Sequence, residues 1–175
     1  MNIFITDLKQ IINRANFISA HLSRLNTTDL LRFENIKNER RALQFLLGRL
    51  LILDVLGPDY NTTDNGKVIS NSAYLSLAHS GDFVILATDD EPIGIDIEKI
   101  DQKRNFLKIA NRLKFKNCRT VQDFYKYFTA YEAEFKLGKE YQKPYHLFFE
   151  REDFMICVAT LSKKSIETIT QKNFL

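Results

Sequence analysis

The sequence has little cysteine, proline or glycine, and it has no tryptophan. It contains two cysteines, three prolines and six glycines among 175 residues, so it is neither collagen-like nor of low complexity. Cys118 and Cys157 stand far apart, and their spacing suggests neither a disulfide framework nor a metal site. Cys157 lies in the apolar run FMICVATL, which predicts a small core residue.

Long apolar segments are also missing. No stretch approaches the ~20 apolar residues that a membrane helix needs. The first residues, MNIFITDLKQII, lack the basic region, long apolar core and small-residue cleavage site of a signal peptide. We therefore expect a cytoplasmic protein that has no membrane partner.

An excess of either charge is absent as well. The chain has 25 Lys and Arg against 22 Asp and Glu, a formal net charge of +3, which does not indicate a nucleic-acid partner. Hydrophobic residues make up 45% and charged residues 27%, the composition of a globular protein. The length allows one domain or two small lobes that share a core.

The hydrophobic pattern predicts a helix followed by strands, twice. Leucines at helical spacing mark a first helix over about 38–56, ended by Gly57. TTDNGK is typical of a turn, and AYLSLA, DFVILAT and PIGIDI are predicted strands. Thr120 and Asp123 form a predicted capping box for a second helix that ends before Gly138. The strands YHLFFE, FMICVAT and SIETIT follow, so we predict an α+β fold with halves 1–90 and 91–175.

The second helix carries aromatic residues at helical spacing, which predicts its core-facing stripe. These residues are Phe124, Phe128, Tyr131 and Phe135. Glu132 and Lys136 are four residues apart and share another face, on which Tyr125 and Thr129 are also expected.

The segment PIGIDIEK places two acids, Asp96 and Glu98, on one side of a predicted strand. If the strand and the second helix pack together, Glu132 and Lys136 can join them. Three carboxylates suit Mg²⁺, and a neighbouring lysine suits a polyphosphate. The simpler interpretations are a solvated strand end and a surface ion pair.

The motifs together resemble those of the 4′-phosphopantetheinyl transferases of the surfactin-synthetase type. IGIDIEK followed by FTAYEAEFK resembles the family's signature. ERRALQFLLGRLLI, NGKV and LSLAHSGDFVILA resemble its arginine-bearing helix, its Gly-Lys turn and its His-Ser-Gly segment, in the family's order. The resemblance extends over about residues 32–138.

The resemblance implies a pseudo-dimer of two similar α/β halves, each a long helix on a small, mostly antiparallel sheet, and a monomer. It implies transfer of the 4′-phosphopantetheine arm of coenzyme A to a serine of an acyl or peptidyl carrier protein, with release of 3′,5′-ADP. The matching Mg²⁺ ligands are Asp96, Glu98 and Glu132. Glu132 also matches the residue that takes the serine proton.

The resemblance also assigns coenzyme A contacts. Lys136 matches the lysine at the pyrophosphate, and it is therefore a catalytic candidate together with Glu132. His79 matches a phosphate contact, Lys67 is the turn lysine, and Arg40 or Arg41 matches the arginine at the 3′-phosphate.

A basic run covers residues 103–119, which contain seven Lys and Arg and no acid. Such a run is usually a solvated surface. Because carrier proteins are generally acidic, the resemblance makes Lys108, Arg112 and Lys116 candidate docking residues.

This sequence departs from the family at several positions. Tyr131 replaces the lysine before the signature glutamate, and Ala78 and Val68 replace a serine and a proline. An impaired homologue that binds carrier protein or coenzyme A without transfer is therefore an alternative. A Mg²⁺-dependent phosphodiester hydrolase is a third hypothesis. The pathway that the protein serves is left open.

Overall fold

The structure is a computed structural model that describes residues 1–63, 66–138 and 140–174. Its helices are α1 (Arg14–His21), α2 (Thr27–Glu34), α3 (Glu39–Leu56), α4 (Phe106–Arg112) and α5 (Val121–Leu137). Its strands are β1 (Asn2–Asp7), β2 (Tyr60–Thr62), β3 (Val68–Ser70), β4 (Tyr74–Ser80), β5 (Phe83–Asp89), β6 (Ile93–Lys99), β7 (Tyr145–Arg151), β8 (Phe154–Thr160) and β9 (Thr168–Gln171). Part of the predicted turn TTDNGK lies outside the described residues. None of the helices in these ranges is long and apolar enough to cross a membrane.

The strands form two main sheets and a short ribbon. The first sheet has the order β4-β5-β1-β9, the second has the order β6-β8-β7, and β2 pairs with β3. All pairs are antiparallel except β1 with β9. The predicted α+β class is confirmed. The last strand joins the first sheet, and the division at residue 90 stays a prediction.

Alternating side chains on the central strands place the two sheets face to face between the two long helices. On β5, Val84 and Leu86 pack in the cluster that contains the α3 leucines, while Ile85 packs against the second sheet. On β8, Ile156 packs toward the first sheet, while Cys157 lies under α5, buried as predicted. The layers are therefore helix, sheet, sheet, helix, with a long helix on each small sheet as expected for the pseudo-dimer.

Helix α3 forms where the leucine spacing predicts it. The Asn38 side chain accepts a hydrogen bond from the backbone N–H of Arg41, which caps the first turn. The helix ends at Gly57, whose φ of 76° lies in the left-handed region that favours glycine. Its buried leucines and isoleucine are the centre of the first core cluster: Leu43, Leu46, Leu47, Leu50, Leu51 and Ile52.

Helix α5 begins with the predicted capping box. The Asp123 N–H donates to Thr120 Oγ1 at 3.0 Å, and the Thr120 N–H donates to Asp123 Oδ2 at 2.9 Å. The predicted core stripe is wrong beyond its first turns, since Tyr131 is 45% exposed and Phe135 is 58% exposed. The buried face carries Phe124, Tyr125, Thr129, Ala133 and Leu137 instead.

The reason for this different face is the close approach of α5 to β6. A Cβ atom built on Gly94 would lie 2.0 Å from the carbonyl oxygen of Ala133 and 2.8 Å from the backbone nitrogen of Leu137. Ala133, the smallest residue of the buried face of α5, lies at this contact. The aromatic residues Tyr131 and Phe135 lie on the exposed side of the helix instead.

Candidate active site

Strands β4 and β6 lie side by side where the two halves meet, although they belong to different sheets. Two serine hydroxyls of β4 link them. The Ile95 N–H donates to Ser76 Oγ at 3.0 Å, and the Lys99 N–H donates to Ser80 Oγ at 3.0 Å. This junction brings the His-Ser-Gly segment of the first half next to the acids of the second.

The acids of β6 project away from the core between the sheets. Ile95 and Ile97 pack in that core, whereas Asp96 and Glu98 alternate to the side along which α5 passes. The period of a strand thus explains how an otherwise buried strand carries two acids on one side.

Asp96 is bound by a lysine from α5. The Lys136 Nζ donates to Asp96 Oδ1 at 2.7 Å and to the Ile95 carbonyl oxygen at 3.0 Å. The other carboxylate oxygen, Oδ2, is buried and has no hydrogen-bond partner in the described structure. Burial raises the pKa of Asp96, an effect that Lys136 opposes and the negative charge of Glu132 reinforces. A second positive charge is therefore favourable at Oδ2.

Glu98, the second acid of β6, also has a raised pKa. Burial and the neighbouring Asp96 charge raise its pKa to about 7. Its Oε2 atom accepts a hydrogen bond of 3.2 Å from Ser80 Oγ, which opposes that rise in pKa. A divalent cation beside these two carboxylates would favour their charged forms.

The carboxylates expected to hold Mg²⁺ are Asp96, Glu98 and Glu132. In the described ranges, no group of three or more His, Cys, Asp and Glu side chains is arranged to hold a metal ion. Mg²⁺, however, is usually bound by one or two carboxylates together with substrate phosphates and water. Asp96 and Glu98, on one side of β6, are residues of the chemical type that this requires. The roles of Asp96, Glu98 and Glu132 as Mg²⁺ ligands all stay predictions.

An open cleft of about 880 Å³ lies beside these acids. Its wall includes four of the predicted site residues, Arg41, Lys67, His79 and Lys136. These residues come from α3, the loop before β3, β4 and α5, so both halves contribute to one cavity.

His79 is a neutral hydrogen-bonding group in this cleft. Burial, Arg41 and Lys136 lower its pKa to about 4. Arg41 Nη1 lies 3.1 Å from His79 Nδ1. Because an arginine can only donate, Nδ1 accepts, and we assign the ring proton to Nε2.

The two adjacent arginines of α3 have different surroundings. Arg40 Nη2 donates to Asp82 Oδ1 at 2.6 Å, and its Nε donates to the Gly81 carbonyl oxygen at 3.2 Å. Arg41 lines the cleft, and Arg40 does not belong to the cleft wall. The geometry therefore favours Arg41 as the phosphate contact.

The cleft wall also includes residues that the sequence does not predict as site residues, among them Arg32, Gln44 and Phe135. Arg32 lies on α2, a short helix that the leucine pattern does not reveal. Asn26, whose side chain accepts from the Asp29 N–H, is the capping signal that could have located this helix. Phe135 was assigned to the core stripe, which concealed its place at the cleft.

The candidate docking residues Lys108, Arg112 and Lys116 are exposed, on α4 and on the connection to α5. Near them, the exposed Tyr127 and Tyr131 pack against Phe115, with ring centroids 5.6 and 6.2 Å apart. Tyr131 therefore lies outside both the helical core face and the cleft wall.

Similarity to characterised proteins agrees with these features. No protein-family model matches the chain. The 4′-phosphopantetheinyl transferase psf-1 of Bacillus pumilus is 39% identical over 93 residues, which cover 46% of this chain and 38% of that protein. The 4′-phosphopantetheinyl transferase gsp of Aneurinibacillus migulanus is 29% identical over 112 residues, which cover 58% of this chain and 45% of that protein.

The protein is thus an α+β pseudo-dimer in which both halves contribute residues to one open cleft. It is a homologue of the surfactin-synthetase-type 4′-phosphopantetheinyl transferases, and the resemblance of its motifs is confirmed. The chain spans less than half the length of the curated relatives that it matches.

Proposed function

We propose that this protein transfers the 4′-phosphopantetheine arm of coenzyme A to a serine of an acyl or peptidyl carrier protein and releases 3′,5′-ADP. The observation that carries the proposal is the shared cleft. Arg41 and His79 from the first half lie in the same cavity as Lys136, which binds Asp96 in the second half. The candidate phosphate-binding groups therefore lie next to the candidate metal-binding acids, which supports the proposal.

Coenzyme A would bind along the cleft through its phosphates. Arg41 would bind the 3′-phosphate, since a guanidinium forms charge-assisted hydrogen bonds with phosphate. The Nε2–H of His79 can donate to a pyrophosphate oxygen, and Lys67 and Lys136 lie on the same wall. Phosphoryl-type transfer depends chiefly on such positioning and charge neutralisation.

Asp96 and Glu98 would hold a Mg²⁺ ion, with Glu132 as the expected third acid. When bound, the ion offsets charge on the pyrophosphate and on the leaving 3′,5′-ADP. Lys136 Nζ already donates a hydrogen bond to Asp96 Oδ1. This lysine would therefore lie close enough to contact the same pyrophosphate as the ion.

The serine hydroxyl of the carrier protein forms a new bond to the phosphorus that bears the pantetheine. The bond from that phosphorus to the oxygen bridging the pyrophosphate breaks, and that oxygen leaves with 3′,5′-ADP. Glu132 would accept the serine proton, directly or through a water molecule. Its half-exposed position on α5 leaves it accessible from outside the cleft.

The carrier protein would dock on the basic segment 103–119. Lys108, Arg112 and Lys116 are exposed and can attract an acidic partner. Tyr127 and Tyr131 add an apolar surface on the neighbouring helix α5. This surface continues along α5 to Glu132 and Lys136, which would bring a docked serine toward the cleft.

The test incubates the protein with coenzyme A, Mg²⁺ and an apo carrier protein, and follows the intact mass of the carrier. We expect the mass of one phosphopantetheine group to be added. Asp96→Asn and Glu132→Gln should each lower the rate at least about a hundredfold, with the melting temperature retained. Glu150→Gln changes an exposed acid on β7 and is the matched control.

The alternative is an impaired homologue that binds its partners without transfer. Tyr131 motivates it, since it replaces the family's lysine. Calorimetric binding of coenzyme A without any change in carrier mass would favour this alternative over transfer. Breakdown of coenzyme A without a carrier protein would favour a hydrolase instead.

A further inference from the structure

The junction between the halves contains two serines with different connections. Ser76 and Ser80 are four residues apart on β4 and accept the N–H groups of Ile95 and Lys99 on β6. Ser80 Oγ also donates to Glu98 Oε2 at 3.2 Å. The hydroxyl of Ser80 therefore connects the backbone of β6 to one of its two acids.

Ser80 is itself held in place by α3. It precedes the turn at Gly81, which has a φ of 56°. Gln44 Nε2 and Arg40 Nε both donate to the Gly81 carbonyl oxygen, at 3.0 and 3.2 Å. The position of the hydroxyl is thus fixed by the first half, while the carboxylate that it contacts belongs to the second.

In the second half, the strand that corresponds to β4 is β7, and the pairing register identifies the residues that correspond to Ser80 and Ser76. Ser80 pairs with Phe83, the first residue of β5, and Arg151 pairs with Phe154, the first residue of β8. By the same register, Leu147 corresponds to Ser76. Arg151 donates to Gln171 at 2.7 Å. The two serines therefore occur at the junction that carries the acids, and the corresponding positions hold other residue types.

We propose that Ser80 is a positioning residue that orients the Glu98 carboxylate beside Asp96 for a divalent cation. This inference rests on the proposed function, because it assumes that the two acids hold a cation during transfer. The hydroxyl acts through Glu98 and touches neither substrate nor cation. It makes the cation site dependent on contact between the two halves.

The test compares Ser80→Ala with Ser76→Ala, which removes the other serine link of the junction. Binding of Mn²⁺ alone is measured by calorimetry, together with the melting temperature and the Mg²⁺ concentration that gives half-maximal transfer. We expect Ser80→Ala to weaken Mn²⁺ binding about tenfold and to raise the Mg²⁺ requirement by a similar factor. The rate at saturating Mg²⁺ should stay near that of the wild type.

Ser76→Ala is expected to lower the melting temperature at least as much, since Ser76 is the more buried serine, without a tenfold loss of Mn²⁺ affinity. Ser80→Thr keeps the hydroxyl and should retain Mn²⁺ affinity.

Equal losses of Mn²⁺ affinity in both alanine variants, unchanged affinity in Ser80→Ala, or no Mn²⁺ binding by the wild type would overturn the proposal. Specific loss in Ser80→Ala without any carrier modification by the wild type would support the positioning role and overturn the proposed function.

Discussion

Strands β1 and β6 occupy equivalent places in the two halves of the molecule. Each pairs antiparallel with the central strand of a three-stranded unit, in the orders β4-β5-β1 and β7-β8-β6. Each unit also carries one long helix, α3 or α5. The same architecture is thus built twice, and the two copies differ in the residues that form the candidate site.

The two strands carry different residues at equivalent positions. Asp96 pairs with Cys157 and Glu98 with Met155, the fourth and second residues of β8. The fourth and second residues of β5, Leu86 and Val84, pair with Phe4 and Thr6. The acids of the second half are therefore replaced by a phenylalanine and a threonine in the first.

The outer edges of β1 and β6, which face away from the central strands, also have different neighbours. β6 lies against β4 through serine side chains, whereas β1 is covered by β9 in a parallel pairing. The backbone groups on this edge of β1 are therefore hydrogen-bonded to β9. Fold alone therefore does not define the candidate site, because one copy of a repeated architecture carries the acids and the other copy does not.

The packing of the long helices gives the largest expected difference between the halves. A Cβ at Gly94 would meet backbone atoms of α5 at 2.0 and 2.8 Å, which cannot move without displacing the helix. We expect Gly94→Ala to lower the free energy of unfolding by about 3 kcal/mol, or the melting temperature by about 10 °C. Thermal unfolding measures this change.

Gly48→Ala is the matched variant in the first half. Its Cβ would lie 2.7 Å from Leu77 Cδ2, the end of a flexible side chain that can rotate away. Alanine also gains about 1 kcal/mol over glycine inside a helix, so the net change should stay within about 1 kcal/mol. Similar losses in the two variants would show that the halves are packed alike.

The second prediction separates the neighbouring arginines of the first half. Arg41→Ala should raise the KM for coenzyme A about tenfold or more, because a charged hydrogen bond contributes roughly 1.5–3 kcal/mol. Arg40→Ala should leave that KM nearly unchanged and lower the melting temperature slightly, since Arg40 is bonded to Gly81 and Asp82. Steady-state kinetics decide it, and the reverse pattern would assign the phosphate contact to Arg40.

The third prediction concerns pH. The pKa of His79 is lowered from 6.5 to about 4 in the fold, so the unfolded chain binds this proton more readily. The contribution of His79 to stability is present above pH 6.5 and is lost as the pH falls through 4. Glu98, whose pKa is raised, contributes in the opposite sense.

His79→Asn should therefore reduce the loss of stability between pH 6.5 and pH 4 by about 1–2 kcal/mol after solvent screening. Denaturant unfolding at several pH values measures it. His21→Asn is the control, because the His21 ring lies on the short helix α1, away from the cleft. An unchanged pH profile in His79→Asn would contradict the neutral assignment.

The smallest effect is expected for docking. Reversing Lys108, Arg112 and Lys116 to glutamate should raise the KM for carrier protein several-fold at low salt and leave that for coenzyme A nearly unchanged. The wild-type interaction should weaken with added salt, since exposed charges are screened over ~8 Å at physiological ionic strength.

The control for docking reverses three exposed basic residues of the first half, Lys9, Arg14 and Arg24. It changes the net charge equally but not the charge near α5. Equal damage by both triple variants would show that net charge, and not the basic segment, governs the association.

Local signals predicted most of the elements correctly. Leucine spacing located α3, the Thr120 capping box located the start of α5, and alternation placed Asp96 and Glu98 on one side of β6. These features depend on neighbours within a few residues, so they are readable in one sequence. The aromatic stripe of α5 failed because Gly94, 27 to 43 residues away in the chain, determines which side chains fit beneath the helix.

The amino-acid sequence alone was enough to predict the α+β class, the two long helices, the acid pair on one strand and the resemblance to the family. Tertiary contacts were needed to distinguish the surroundings of Arg41 from those of Arg40, to place Tyr131 and Phe135 outside the core, and to join Ser80 to Glu98. Each of these outcomes depends on residues far apart in the chain that meet between packed elements. Local periodicity assigns a side chain to a face of its own element, and the neighbour across that face exists only once the halves are assembled.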